Sequence, residues 1–408
     1  MYVTQLKKNS RRFDIDNARN ELEGFENNVD ILQSKADSLY NQYKYKSCYD
    51  ITSKILINHP SHPSTLTLHI ACLQHLKKLK SSLFMLAHTL VQSDPNNSLS
   101  WYAVGVYYFL GGKYQDSRRY FSKSSLMDPR FQPAWIGFAH SFALEGEHDQ
   151  AIIAYSTCSR LFQGNHLPLM YIGMQHIQIA NITIAKEFID GSLAICNTDP
   201  LVYHERAVVG YYQSHYDYAV KMFERTLQIV DSSINDDGNE DNFNDIWYAT
   251  YLGLGQCYRR INEPLKAKEC LIKAIDLNSN CVSALTTLGI IYHTLDDLEN
   301  SIETYHRSLS ISPGDSMTTE LLKLAVEANV TQTSADCFKR LPLDFNTFAN
   351  NNTYNNSSIL NGKSNDDNSK VSKRKSINKS GFSEDMTISM VDDEDDVDVD
   401  EESMIMDA

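Results

Sequence analysis

His204-Glu205 opens like the helix of a zinc protease, where a second imidazole four residues on completes the metal-binding face. Position 208 is valine, so that second ligand is missing. Gly253-Leu-Gly255 supplies two glycines of a phosphate cradle, but the third is absent and no strand pattern precedes them. Glu145, Glu147, His148 and Asp149 crowd into one turn, and carboxylates beside a histidine can move protons. They fall in the link between two helical segments, where a solvated, helix-capping cluster is the expected role. The eight cysteines show no paired short spacing of the zinc-knuckle kind and sit mostly on helix faces, so they are expected to be reduced, buried thiols. These observations supply no catalytic residue, no metal site and no cofactor.

The elements that must carry these residues explain them better. Trp101-Tyr-Ala-Val-Gly105 and Trp135-Ile-Gly-Phe-Ala139 are the same helix opening, set 34 residues apart. That period is the one of tetratricopeptide repeats, pairs of antiparallel helices that bury their apolar faces only by stacking on one another. Gly105, Tyr108, Gly112 and Phe121 follow the first tryptophan, and Ala139, Phe142, Gly146 and Tyr155 follow the second. Small side chains let the two helices approach, and the rings fill the wedge between them.

The frame extends in both directions. Backward, Ala71 and Ala36 take the small eighth position, with Pro95 and Pro60 closing their units. Forward, Ile172-Gly173 with Ala185, Ala207 with Ala219 and Phe223, Leu254-Gly255 with Ala267, and Leu288-Gly289 with Tyr305 mark four more, giving about eight repeats over residues 29–315. A polar segment precedes them at 1–28, an acidic insertion interrupts them at 231–245, and the apolar spacing of 316–330 predicts a capping helix. From 331 to 408 an Asn-rich run, a basic cluster (Lys370 to Lys375) and nine acidic residues among the eleven from Asp392 to Glu402 replace the helical pattern. Such a tail cannot offset chain entropy by burial and is expected to be disordered. The fold class is therefore all-α, a tetratricopeptide superhelix (α-solenoid) with a disordered C-terminal tail.

The net charge of −15 lies mainly in the tail and the insertion, which argues against binding a phosphate backbone. No apolar run is long enough to span a membrane, and the first residues do not read as a secretory signal. What remains is binding. Positions 2, 5, 9 and 12 of each first helix should face the concave side, giving as groove residues Tyr102, Val106, Phe109, Ile136, His140, Met170, Met174, His204, Val208, Tyr211 and Gln256. This aromatic and apolar wall, with a few polar anchors, suits an extended or helical peptide. A carboxylate clamp would need lysine and asparagine at positions 5 and 9. The chain has Gln33 and Asp37, Leu68 and Cys72, Tyr102 and Val106, then Ile136 and His140.

The segments SWYAVGVYYFLGGKYQDSRRYFSKS, PAWIGFAHSFALEGEHDQAIIAYSTCSRLFQGNHLPLMYIGM and DPLVYHERAVVGYY resemble the sixth-subunit family of the anaphase-promoting complex, from about residue 36 to 325. Glu147, His148, Asp149, His166, Leu167 and Pro168 carry much of the resemblance, because the helix-pair scaffold does not demand them. It implies a non-catalytic scaffold of a cell-cycle ubiquitin ligase, with units three to seven as a sleeve for the N-terminal segment of a very small subunit. It also implies stacking on neighbouring repeat subunits. The homodimer of the family uses further N-terminal repeats, whereas here about 28 polar residues precede unit one. Lys370 to Lys375 resembles a nuclear-import cluster, so nucleus and cytoplasm are the expected locations. The fold alone also allows a scaffold in an unrelated intracellular complex.

Overall fold

Proline and short polar side chains set where the helices begin. Pro63, Pro200 and Pro264 stand at the first helical position, where the missing N–H costs nothing, and the Asn28, Asn97 and Asp199 side chains accept a backbone N–H two residues on. The computed structural model describes residues 28–76, 79–235 and 247–340, with no strand among them. They form two compact bodies, divided after Ser279.

The first body holds seven hairpins: α1 (Val29–Asn41) with α2 (Tyr45–Asn58), α3 (Pro63–His75) with α4 (Lys80–Ser93), α5 (Ser98–Leu110) with α6 (Tyr114–Met127), α7 (Gln132–Leu144) with α8 (His148–Leu161), α9 (Leu167–Gln178) with α10 (Ile182–Ile195), α11 (Pro200–Tyr212) with α12 (Tyr216–Asn235), and α13 (Tyr248–Ile261) with α14 (Pro264–Leu277). The second body holds α15 (Val282–Thr294), α16 (Leu298–Ile311) and α17 (Ser316–Arg340).

Within each hairpin the small eighth position lets the helices touch. Added side-chain carbon at Gly105 would meet the Phe121 ring at 2.7 Å, at Gly255 the Leu271 side chain at 2.6 Å, and at Gly289 the Tyr305 ring at 2.4 Å; between successive hairpins, Gly137 would meet the same Phe121 ring at 2.7 Å and Gly253 the Phe223 ring at 2.5 Å. The second helix then reaches across to the first: Ser117 Oγ donates to the Gly105 carbonyl (2.8 Å), Ser301 Oγ to that of Gly289 (2.9 Å) and Cys48 Sγ to that of Ala36 (3.3 Å). All three pairs are 12 residues apart. The tryptophans repeat as well: Trp101 Nε1 donates to the Pro95 carbonyl and Trp135 Nε1 to that of Pro129, each six residues back.

Four sequence expectations shift. The second hairpin has a four-residue link, 76–79, where the others in the first body have two or three, so buried Ile70 takes the place expected for Ala71, which stays partly exposed. α12 continues to Asn235, because Ile229, Val230 and Ile234 prolong its apolar spacing into the segment read as an insertion; residues 236–246 lie outside the described residues. α17 runs ten residues beyond the expected cap, to Arg340. Its Thr318 and Ala325 are buried, while Met317, Leu324 and Val330 are exposed, so its outward face is not the polar surface of a cap. The N-terminal segment, the basic cluster and the acidic run also lie outside the described residues.

Candidate functional site

The residues first considered for chemistry are held in structural roles. His204 Nδ1 shares a hydrogen bond of 2.9 Å with Thr250 Oγ1, and its ring packs edge-on to Phe223, which ties α11 to α13 and α12. Gly253 and Gly255 lie inside α13, where side-chain carbon would meet Phe223 and Leu271; they are points of close helix approach. The acidic cluster is divided between partners. Arg118 pairs with Glu145 and Glu147 while its guanidinium lies 4.4 Å over the Phe142 ring, and His148 Nδ1 donates to Gln175 Oε1 at 2.8 Å. No group of three or more potential metal ligands exists among the described residues. Cys48, Cys72, Cys158, Cys196, Cys257, Cys270 and Cys281 are free, and burial raises the Cys158 and Cys270 thiols to about 11 and the Cys257 thiol to about 12. Cys337 has no described side chain.

The inner side of the first body is different. Tyr45, at the start of α2, stacks on His75, at the end of α3, with centroids 3.9 Å apart and planes 5° from parallel. Tyr40 stands edge-on to Tyr45 at 5.4 Å, and its hydroxyl lies 3.5 Å from His75 Nε2. Farther along, His140 on α7 hydrogen-bonds the Tyr155 hydroxyl and meets the Tyr171 ring of α9 edge-on at 4.6 Å. Electrostatic coupling joins the two groups: Tyr40 senses Tyr45, Tyr102 and Tyr171, His140 senses His75, and Tyr171 senses Asp199 and Glu205. Side chains from α1, α2, α3, α7 and α9 thus converge on one wall, with Tyr102 of α5 and Glu205 of α11 buried close to it. Tyr40, Tyr45, His75, His140 and Tyr171 each keep part of their surface open.

Enclosure removes charge from this wall, because a low-polarity surrounding disfavours every ionised form. Burial pushes His75 down to about 4. It does the same to His140, to which the neighbouring His75 adds. Tyr40, Tyr45 and Tyr155 are raised well above the usual phenol range, first by burial. Glu205, 4 % exposed, is pushed up to about 8 by burial, and its Oε1 has no hydrogen-bond partner among the described residues. At neutral pH the wall presents neutral imidazoles and phenols, and the buried Glu205 carboxyl holds its proton. The Asp199 side chain is well bonded, accepting from Tyr43, His166 and the Leu201 N–H. Such a surface binds through ring faces and hydrogen bonds rather than through ion pairs.

Of the eleven groove residues read from the sequence, His140 belongs to this wall and Ile136, Met174 and Tyr211 are half-buried. Tyr102, Val106, Phe109, Met170, His204, Val208 and Gln256 are buried. Tyr102 packs against Phe121 and Phe131, and Phe109 against Tyr114 and Phe121, in one cluster with Val106. They serve the packing of their hairpins rather than offering an open surface. The wall's Tyr40, Tyr45, His75, Tyr155 and Tyr171 were missed. Tyr40 and His75 fall at position 12 of units one and two, so extending the same frame backward finds them. Tyr171 stands one residue beyond expected Met170, and one residue rotates the face of a helix by about 100°.

Stacked helical hairpins with close-approach glycines define a helical-repeat protein. Residues 248–281 and 282–315 match the model of the tetratricopeptide repeat. Anaphase-promoting complex subunit cut9 of Schizosaccharomyces pombe is 39% identical over 81% of this chain and 48% of its own length. The human cell division cycle protein 16 homolog is 34% identical over 77% of this chain and 50% of its own. The crystal structure of the APC/C hetero-tetramer Cut9-Hcn1 superposes with a TM-score of 0.67 at 38% identity, covering 76% of this chain and 58% of that one. The family resemblance of the chain is thus to subunit 6 of the anaphase-promoting complex, and the chain spans about half the length of the relatives it matches.

Proposed function

We propose that this chain is a non-catalytic scaffold of the anaphase-promoting complex, a cell-cycle ubiquitin ligase, and that the inner wall of its first body holds an extended segment of a very small subunit. The observation that carries this reading is the likeness, at 38% identity, to a chain crystallised in the Cut9-Hcn1 assembly, together with a wall of half-open rings on the inside of the hairpins. Rings that are rigid and uncharged bury apolar area at small entropic cost, and the adjacent hydroxyls and imidazoles answer the hydrogen bonds of a peptide backbone. Purification of the tagged chain from dividing cells tests the assignment. Recovery of several anaphase-promoting complex subunits supports it, and recovery of none contradicts it.

Two finer points belong to the same reading. Stacking on neighbouring repeat subunits is expected from the family resemblance, whereas pairing with a second copy by the family's route is in doubt; mass measurement of the purified chain decides the pairing, which a monomer at micromolar concentration would remove. Nuclear as well as cytoplasmic location is proposed from the basic cluster at Lys370 to Lys375. Deleting residues 365–380 should deplete a fluorescent fusion from the nucleus, and unchanged accumulation would refute the import role.

A further inference from the structure

Each of the six two- or three-residue links between paired helices of the first body passes through a left-handed backbone position. The residues that take it are mostly small or short and polar: Gly112 (φ +71°), Gly146 (+81°), Ala180 (+62°), Ser214 (+62°) and Asn262 (+70°). The first hairpin places Tyr43 there, at φ +62°. A bulky side chain in this region is a true outlier, since its Cβ crowds the following carbonyl. Strain of this kind persists where the surroundings hold it in place.

What holds Tyr43 lies far along the chain. Its hydroxyl donates to Asp199 Oδ1 at 2.7 Å, across 156 residues, and its ring stands edge-on to Trp247 at 5.5 Å. Asp199 is itself held firmly, because the same Oδ1 caps α11 through the Leu201 N–H (2.9 Å) and Oδ2 receives His166 Nε2 (2.7 Å). Trp247 and Val230 are buried around the ring. The seam is not saturated, for Gln42 Oε1 and Trp247 Nε1 beside it are buried without hydrogen-bond partners among the described residues.

We propose that Tyr43 is a latch: the strained tyrosine in the first hairpin's turn closes the row of hairpins back onto α11 and Trp247, and its release opens the inner wall along one side. Hairpin-to-hairpin packing holds the remainder of the row together, and at the seam the Tyr43 side chain bridges distant repeats. Two polar atoms unpaired among the described residues and a disfavoured backbone set the closed form apart from an ordinary packed interface, as a part that opens requires. The latch stands whether or not the wall takes the occupant proposed above.

Hydrogen exchange on the full chain, compared for wild type, Tyr43→Phe and Tyr43→Gly, tests it. Tyr43→Phe removes only the hydroxyl and should speed exchange about tenfold in peptides covering 199–203 and 247–250, the weight of one hydrogen bond to a carboxylate. Tyr43→Gly removes the ring and relieves the turn. It should expose those same distant peptides more strongly while residues 29–41 and 45–58 keep or gain protection. Unchanged protection at 199–203 and 247–250 in Tyr43→Gly would overturn the latch. So would loss of protection confined to 29–58, which would make Tyr43 a packing residue of its own hairpin.

Discussion

The inner wall and the outer links of the first body are built from the same kinds of residue and end with opposite electrostatics. On the outside, Glu145 and Glu147 pair with Arg118, and His148 bonds Gln175, in a partly hydrated setting where each of these glutamates has a cationic partner. On the inside, His75 and His140 bond or stack with tyrosines, and burial alone sets the state of the Glu205 carboxyl. Desolvation therefore decides inside, while pairing decides outside. A histidine beside a carboxylate in the sequence says little until its side of the hairpin is known.

Four measurements sharpen or break this contrast. The largest effect is expected for Glu205→Gln at pH 8. The folded carboxyl titrates near 8 and the unfolded one near 4.5, so the folded state holds the extra proton between these values, and stability falls as pH rises through the window. Removing the titration should stabilise the protein by roughly 4 kcal/mol at pH 8, at ~1.4 kcal/mol per unit, and much less at pH 5, read by denaturant unfolding. Equal effects at both pH values would show that Glu205 is not held neutral.

Next comes Tyr171→Ala, which removes a ring shared by His140 and Tyr155 and should cost about 2–3 kcal/mol in the same assay. On the acid side the sign reverses. His69, His75 and His140 are each pushed down to about 4 by burial, so their contribution is complete above pH 6.5 and is lost as pH falls toward 4. Glu205 opposes the three histidines from about pH 4.5 to 6.5, where their summed slope is the larger, and acts against stability by itself from 6.5 to 8, so the melting temperature should peak near pH 6.5; a steady rise from pH 6.5 to 8 would contradict the pairing of these opposite slopes. The smallest change belongs to the outer links, where Arg118→Ala should cost no more than about 1 kcal/mol and become smaller in high salt.

The repeat architecture was legible because packing imposes it locally. Trp101 and Trp135 recur with the period, and Gly105, Gly253 and Gly289 stand where a second helix leaves no room for side-chain carbon. The acidic link was also readable, since its residues fell between two helical patterns. The wall was less so. Which face of a helix looks inward depends on how each hairpin turns relative to the last, and a single-residue rotation exchanges Met170 for Tyr171. Tyr43 was illegible for another reason: its partners, Asp199 and Trp247, come into reach only after the intervening hairpins have stacked. A sequence period describes neighbours in the row and is silent about where the row returns on itself.

Whether the inner wall of neutral rings holds another subunit's segment is tested most directly by purifying the tagged full chain from dividing cells, wild type beside Tyr45→Ala/His140→Ala, and identifying the recovered proteins by mass spectrometry. The double variant is expected to retain the large subunits and lose a very small one. Recovery of the same small subunit in undiminished amount would contradict that role for the wall.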